Sequence, residues 1–325
     1  MSKLLTIVIP VFKVEAYIKK CLDSLIIAPE LMEKMEVLII NDGTPDRSAE
    51  MSREYVKRYP SVFRQIDKEN GGHGSVWNLG MKEARGKYVR FLDSDDWLEN
   101  LDVLIARLTD CDADLVLTPT MCHCPGEELW KQEILDMEFG RVYDADLFDW
   151  LNNRSHRNFV LHHSCTYKTE ILRPFMPLFL VKQPYDDMIL GPAAIVGART
   201  LVAYDFILYH YLMDREGQSI SAAVQQRNIE ARVRSQQAVI RFVEEHPVPD
   251  GTSKRVFFKN RLPKMYNFGY KSFLDLPFRE AKAMARTWDT WVKKNNPSVR
   301  TQWIVLYRSL PFRLFRPIGK LLTRS

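Results

Sequence analysis

Three short segments carry side chains able to do chemistry. Asp93-Ser94-Asp95-Asp96 sets three carboxylates within four residues, an arrangement that repels itself unless a cation or hydrogen-bond donors offset the charge. Hard oxygen ligands in a tight turn suit Mg²⁺ or Mn²⁺, ions normally shared with the phosphates of a substrate. The plainer reading is a cap, with Asp93 or Ser94 opening a helix that contains Trp97 and Leu98. A second acidic pair, Asp186-Asp187, follows Pro184 and Tyr185. A carboxylate there can take the proton of an attacking hydroxyl; the alternative is that the pair caps the apolar run beginning at Met188. The third segment is Gly71-Gly72-His73-Gly74. A dinucleotide fingerprint would need glycine at Trp77, and a P-loop would need Gly-Lys-Ser/Thr. A nicotinamide enzyme and a kinase are therefore disfavoured, and a tight turn is the simple account of these glycines. Cys122-His123-Cys124, with Cys111 upstream and His162, His163 and Cys165 downstream, lacks the usual ligand gaps of a zinc site and reads as buried thiols and scattered imidazoles.

These segments need a scaffold. Leu5-Thr6-Ile7-Val8-Ile9 is a β-rich run ended by Pro10, after which Tyr17, Ile18, Cys21, Leu22, Leu25 and Ile26 recur at helical spacing. Glu36 to Ile40 is a second strand, stopped by Asn41-Asp42-Gly43, and residues 48–59 read as the returning helix. A further helix is expected from Val76 to Ala84, closed by Gly86, before the strand Tyr88 to Leu92. Continuous apolar strands alternating with helices indicate a largely parallel sheet covered on both faces. In such sheets ligands collect outside the carboxyl ends of the strands, where Pro10-Val11-Phe12, Asn41-Asp42-Gly43 and Asp93-Ser94-Asp95-Asp96 all fall. The middle section has an expected strand at Leu115-Val116-Leu117 and apolar runs at 159–161 and 201–208. Beyond residue 221 the chain turns helical and basic, with a break at Pro247, Pro249 and Gly251.

The order of Thr6-Ile7-Val8-Ile9-Pro10-Val11-Phe12, Ile39-Ile40-Asn41-Asp42-Gly43, Glu69-Asn70-Gly71-Gly72-His73-Gly74-Ser75 with Asn78 and Gly80, and Gly86-Lys87-Tyr88 leading to Asp93-Ser94-Asp95-Asp96-Trp97 closely resembles the family 2 glycosyltransferases, over about the first hundred residues. The resemblance implies a GT-A nucleotide-diphospho-sugar-binding fold: α/β, with a mixed, mostly parallel sheet. That domain would occupy 1–220, as a nucleotide-binding half (1–110) and an acceptor half (111–220), ahead of a basic helical region over 221–325. It also implies inverting transfer of a sugar. By position, Pro10, Phe12 and Glu15 would line the nucleotide pocket, Asp42 would accept from the base N–H, and Asp93 would reach the ribose, with Gly72 and Ser94 in the same donor-binding set. Asp95 would be the main metal ligand. The family's acidic pair, usually Glu-Asp with the second member as base, maps that role onto Asp187. Tyr209-His210-Tyr211 with Arg215 and Ser219-Ile220-Ser221 resembles the segment that closes over the diphosphate, with His210 on the metal and Arg215 on the leaving group. Two departures stand out. His73-Gly74-Ser75-Val76-Trp77 replaces the Leu-Ser-x-Ala-Arg of many relatives, which leaves Lys68 or Arg85 to assist the diphosphate; and Leu212 stands where the family has arginine, so a structural role is the other reading of His210.

Composition bounds the rest. The 325 residues are 46% apolar and 27% charged with only 14 glycines, which fits a globular chain and excludes a disordered or fibrous one. The longest apolar stretches, Leu4 to Phe12 and Met188 to Ala198, fall short of the roughly 20 residues of a membrane span. Lys13 and Glu15 follow the first without a cleavage site, and five irregularly spaced cysteines fit reduced thiols. The expected location is cytoplasmic. After Asp289 there are no acidic and eight basic residues, among them Arg308, Arg313, Arg316 and Lys320, interleaved with Trp303, Leu314, Phe315, Ile318 and Leu321. That mixture suits an anionic membrane surface, peripherally on its inner face; the alternative is a C-terminal helix packed on the main domain. Nucleic acid is excluded as a partner by the acidic cleft and the absence of a binding motif. The expectation is thus an inverting glycosyltransferase dependent on Mn²⁺ or Mg²⁺. It would move a sugar, from UDP by preference, to a glycan or lipid-linked hydroxyl in cell-surface polysaccharide synthesis. The rivals are a non-catalytic nucleotide-sugar-binding protein and a nucleotidyltransferase, whose glycine-rich basic loop after the first strand is missing.

Overall fold

The computed structural model describes residues 3–324 except 125, 127, 135, 152–161 and 214–221. Two strands set the frame. In β1 (Leu5–Val11) and β2 (Met35–Asn41) alternate side chains serve opposite faces: Val8, Leu38 and Ile40 enter one apolar cluster, while Leu5, Ile7, Ile9, Val37 and Ile39 enter another. Burial on both faces is why these runs are continuously apolar. Pro10 does not end β1. Pairing with β4 (Tyr88–Phe91) stops at Val8, so Pro10 sits where the strand is paired only with β2.

The remaining strands are β3 (Phe63–Asp67), β5 (Trp97–Leu98), β6 (Leu115–Leu117), β7 (Thr120–His123), β8 (Trp130–Gln132), β9 (Val142–Asp144), β10 (Cys165–Lys168), β11 (Thr200–Ala203) and β12 (Tyr209–Leu212). They form an eight-stranded sheet in the order β3-β2-β1-β4-β10-β6-β11-β9 and a four-stranded sheet in the order β5-β12-β7-β8. The large sheet is parallel through β3, β2, β1 and β4, and β10 runs antiparallel between β4 and β6.

Two local expectations need correction. The edge strand β3 goes unforeseen because Phe63-Arg64-Gln65-Ile66-Asp67 carries only two apolar residues on a half-exposed edge. Trp97 and Leu98 form strand rather than helix. The Asp96 carboxylate accepts from the Tyr209 hydroxyl (2.6 Å) and the Leu212 N–H (2.8 Å), which draws the chain alongside β12, and the helix begins only at Leu101.

The helix Ile229–Glu245 places Val239, Phe242 and Val243 in the same apolar cluster as the sheet, together with Phe257 and Phe258 of the helix Ser253–Ser272. The break between these helices contains Pro247, Pro249 and Gly251, as expected. The last helices share their own cluster around Tyr266, Tyr270, Trp288, Trp303, Phe312 and Phe315. The final helix, Phe312–Arg324, turns Phe312 and Phe315 inward and leaves Leu314, Ile318 and Leu321 exposed. Part of the basic tail is used internally: Arg316 donates to the Leu274 and Leu276 carbonyls (2.9 and 2.6 Å), Lys320 pairs with Asp275 (3.0 Å) and Arg308 with Asp289 (2.8 Å). No described helix is long and apolar enough to cross a membrane.

Candidate active site

The carboxyl ends of β1, β2 and β4 meet on one side of the sheet. Beyond β1, Phe12 is exposed, and Glu15 accepts from the Arg47 N–H (3.2 Å) while its own N–H donates to Asp46 (3.1 Å). Beyond β2, the buried Asp42 carboxylate accepts from Lys68 Nζ (2.5 Å) and from the N–H groups of Gly71 (2.9 Å) and Gly72 (2.8 Å). Lys68 also reaches the Glu69 carbonyl and the Ser75 hydroxyl. The amino group that the sequence offered to a diphosphate is thus tied to Asp42. Arg85 is fixed through its backbone N–H to Glu36 (2.6 Å). Gly72 opens the helix His73–Glu83 at φ 79°, a left-handed conformation that suits glycine, and a Cβ there would stand 3.1 Å from the Lys182 backbone.

Beyond β4, Asp93 is held on both sides. Its Oδ1 lies 3.3 Å from His73 Nε2 and its Oδ2 3.1 Å from His162 Nε2. The far side of each imidazole faces one member of the second acidic pair: His73 Nδ1 is 3.1–3.2 Å from both Asp186 oxygens, and His162 Nδ1 is 4.0 Å from Asp187 Oδ2. Hydrogen-bond contacts thus run Asp186–His73–Asp93–His162, and His162 Nδ1 faces Asp187 across a wider 4.0 Å separation. Burial works against charge on His73, but Asp186 and Asp93 outweigh it and hold the imidazole well above the usual histidine value. Asp93 is held well below the usual carboxylate range, since His162 and His73 overcome the burial that would raise it. Burial and the neighbouring Asp95 and Asp93 push Asp96 well above that range. Asp187, half-exposed, is pushed up chiefly by burial, with Asp186 and Asp93 adding to the effect against His162 and His73.

Close packing sets these distances. Asn78 clasps the Phe179 backbone in both directions, donating to its carbonyl (2.8 Å) and accepting its N–H (3.0 Å), and the Lys182 N–H donates to the Gly71 carbonyl (2.7 Å). A Cβ on Gly74 would stand 2.0 Å from the Leu180 carbonyl oxygen, so only glycine lets the helix start and this loop touch. The loop then turns through Tyr185 in a left-handed conformation (φ 64°) into the short 3₁₀ turn Asp186–Ile189, which has no side-chain cap; the Asp186 carboxylate goes to His73 instead. The indole of Trp77 lies against both imidazoles, with ring centroids 4.1 Å from His73 and 5.0 Å from His162. From beneath, the wholly buried Arg90 donates to the carbonyls of His163 and Cys165 and to the Thr166 hydroxyl, anchoring the turn His162–Ser164 to β4. Burial lowers this guanidinium to about 10.

Possible cation ligands divide into two groups. Asp93, His162 and His163 offer ligand atoms within 4.8 Å of one another, and burial, followed by the neighbouring His162, pushes His163 well below the usual value. His210 stands apart, stacked on Trp97 (5.1 Å, 12°), with Nδ1 2.8 Å from His123 Nε2 and Nε2 2.7 Å from Glu99. Arg215 lies outside the described residues. Burial pushes the Cys122 thiol up to about 12, and none of the five cysteines is in a disulfide. Sequence reasoning did not assign site roles to His73, His162 or Arg90. The one local signal for them is the His162-His163 doublet.

Comparison with known proteins follows this geometry. The family model described as Glycosyl transferase family 2 matches residues 6–174. The chain is 40% identical over 110 residues to the uncharacterized glycosyltransferase EpsJ of Bacillus subtilis (strain 168), a stretch covering 34% of this chain and 30% of that protein. The chain thus spans less than a third of that relative's length. The crystal structure of S. aureus TarS 1-349 in complex with UDP-GlcNAc matches with a TM-score of 0.59 at 17% identity, covering 99% of this chain and 92% of that one. Mannosyltransferase PcManGT from Pyrobaculum calidifontis in complex with GDP-Man and Mn²⁺ matches with a TM-score of 0.54 at 15% identity, covering 99% and 86%. At these identities the likeness is one of fold, and the fold is the α/β GT-A type that the sequence implied.

If the Asn78 clasp holds the loop that presents the second acidic pair, Asn78→Ala lowers stability by roughly 1–3 kcal/mol, because two backbone groups lose their partner. Urea unfolding checks this; an unchanged midpoint would show that the loop is held without Asn78.

Proposed function

The chain belongs to glycosyl transferase family 2, and on that premise we propose that it moves a sugar from a nucleotide-diphosphate donor, a UDP-sugar by preference, to a hydroxyl of a glycan or lipid-linked acceptor, with inversion. The observation that carries the reading is that His73 and His162 bring the strand-end turn at Asp93 beside the second acidic pair, His73 by hydrogen bonds to Asp93 and Asp186 and His162 by one to Asp93 with Asp187 4.0 Å from its other edge.

In this proposal the domain over 1–220 binds the donor through Pro10, Phe12, Glu15, Gly72 and Ser94, and Asp93 holds the ribose. A carboxylate has about four acceptor positions. Asp42 uses three of them on its own chain, which leaves room for the base N–H. Asp187 takes the proton of the acceptor hydroxyl. The freed oxygen attacks the anomeric carbon as the bond from that carbon to the diphosphate oxygen breaks, and the nucleotide diphosphate leaves with the electron pair. The upward shift of Asp187 strengthens it as a base. Asp186, held at both oxygens by His73, is less free to do so.

A bound Mn²⁺ or Mg²⁺ supplies charge neutralisation at the diphosphate, and Asp95 is the residue assigned to hold it. The fit rests on the donor set: hard carboxylate oxygens at Asp93, Asp95 and Asp96 in one turn, with ligand atoms of Asp93, His162 and His163 within 4.8 Å of one another. His210 would join by exchanging its hydrogen bond to Glu99 or the one to His123. Arg215 remains the proposed counter-charge for the leaving group.

The basic helical region over 221–325 is proposed to bring the enzyme to the cytoplasmic face of a membrane. The support is the exposed row Leu314, Ile318 and Leu321 beside Arg313 on the final helix, because an apolar row flanked by cations suits anionic lipid.

Two experiments test these readings. Against a panel of UDP, GDP and dTDP sugars, Asp187→Asn is expected to lower nucleotide release by at least about 10²-fold while UDP affinity is kept, with the acid limb of the wild-type rate lying above the ordinary aspartate value. Turnover at the wild-type rate would show that another group is the base. Vesicles containing anionic lipid are expected to sediment the full chain at low salt, and Leu314→Glu with Ile318→Glu to release it; a chain that stays in the supernatant would contradict the membrane reading.

A further inference from the structure

Resting on the reading of Asp187 as the proton acceptor, we infer that His162 is a positioning residue that aims the Asp187 carboxylate and fixes its separation from Asp93. The geometry gives this imidazole two jobs on two edges. Nε2 lies 3.1 Å from Asp93 Oδ2, which alone gives a buried histidine a polar partner; the Nδ1 edge stands 4.0 Å from Asp187 Oδ2, longer than a hydrogen bond but near enough to limit where that carboxylate can turn. A carboxylate rotates broadly about its last side-chain bond. Asp187 is half-exposed on a 3₁₀ turn, so its own backbone does not set the direction of its oxygens.

His162 can set that direction because packing and its suspended turn hold it in place. It is almost wholly buried, with its ring against His163 (centroids 3.9 Å) and edge-on to Trp77 (5.0 Å). Its turn hangs from Arg90 through the carbonyls of His163 and Cys165. Arg90 belongs to β4, the strand that delivers Asp93. The donor-side aspartate and the imidazole facing the proton acceptor are therefore fixed to one strand, and donor and acceptor chemistry share one reference frame. In a single displacement, misplacement by about 1 Å can cost about 10²-fold in rate, so this coupling bears on turnover rather than on affinity.

The two edges can be separated by substitution. Gln at 162 reproduces a polar group near Nε2 and keeps the Asp93 contact; Asn reproduces one near Nδ1 and keeps the side facing Asp187. We expect His162→Gln to keep UDP affinity by calorimetry within about threefold and to lower kcat for nucleotide release by about ten- to a hundredfold. His162→Asn should keep the larger part of kcat and lose UDP affinity. In the Asp187→Asn background, His162→Gln should cost almost nothing more, because a residue acting through Asp187 has nothing left to aim. Equal losses of kcat in the Gln and Asn variants, or a His162→Gln loss that multiplies undiminished onto Asp187→Asn, would overturn the inference. Asp187→Asn turning over like the wild type would overturn the parent reading and the inference with it. A full effect of Asp187→Asn beside an indifferent His162→Gln would overturn the inference alone.

Discussion

Like charges repel, and this chain gathers Asp95, Asp96, Asp186 and Asp187 around Asp93. The rest of the site follows from how that repulsion is met. One answer is a shift in protonation, as burial and its neighbours drive Asp96 upward. The other is cationic bridging: His73 sits between Asp186 and Asp93, and its imidazole is raised by both. Taking charges out of water is costly unless they are paired and hydrogen-bonded. His73 must therefore be held where both of its edges are used.

The helix His73–Glu83 does that work. Residues 73 and 77 lie one turn apart on the same face, so Trp77 supports the His73 ring (4.1 Å) while packing against His162 (5.0 Å). Many relatives would carry arginine where Trp77 stands. Here the His73 imidazole sits one turn earlier, and the aromatic residue becomes its wall. Lys68, an apparent substitute in the sequence, is committed to Asp42 and the glycine turn. The absence of a side chain at Gly74 lets the loop of the second acidic pair come within reach of His73. The GT-A frame thus supplies strand ends, and the local chemistry of this helix turns them into a cleft.

Much of the frame was legible because burial on two faces writes itself into sequence: Thr6 to Ile9, Val37 to Ile40 and Val89 to Leu92 read as strands without any knowledge of their partners. The acidic turn and the acidic pair were legible by residue type. The links between them were not. His73 and Asp186 are 113 positions apart, and His162 and Asp93 are 69 apart; a pairing of that kind leaves no periodicity to detect. The helix through Trp97 and Leu98 that belongs to the capping alternative does not form, because Asp96 bonds to Tyr209 and Leu212, again across the chain. Arg90 looked like one polar residue in a strand, and its role appears only when the turn it suspends lies beside it.

Nitrogen-15 NMR of histidine-labelled protein, assigned with a His73→Gln variant, bears most directly on the claim that a cationic His73 holds the cleft together. A group whose folded value is raised contributes stability fully below its unfolded value of about 6.5, and that contribution is lost as pH rises through the folded value. The account predicts that His73 keeps both ring protons at pH 7.5 and gives up one of them only at higher pH, with stability falling in the same range. A His73 signal that titrates at or below about 6.5, the ordinary histidine value, would contradict it.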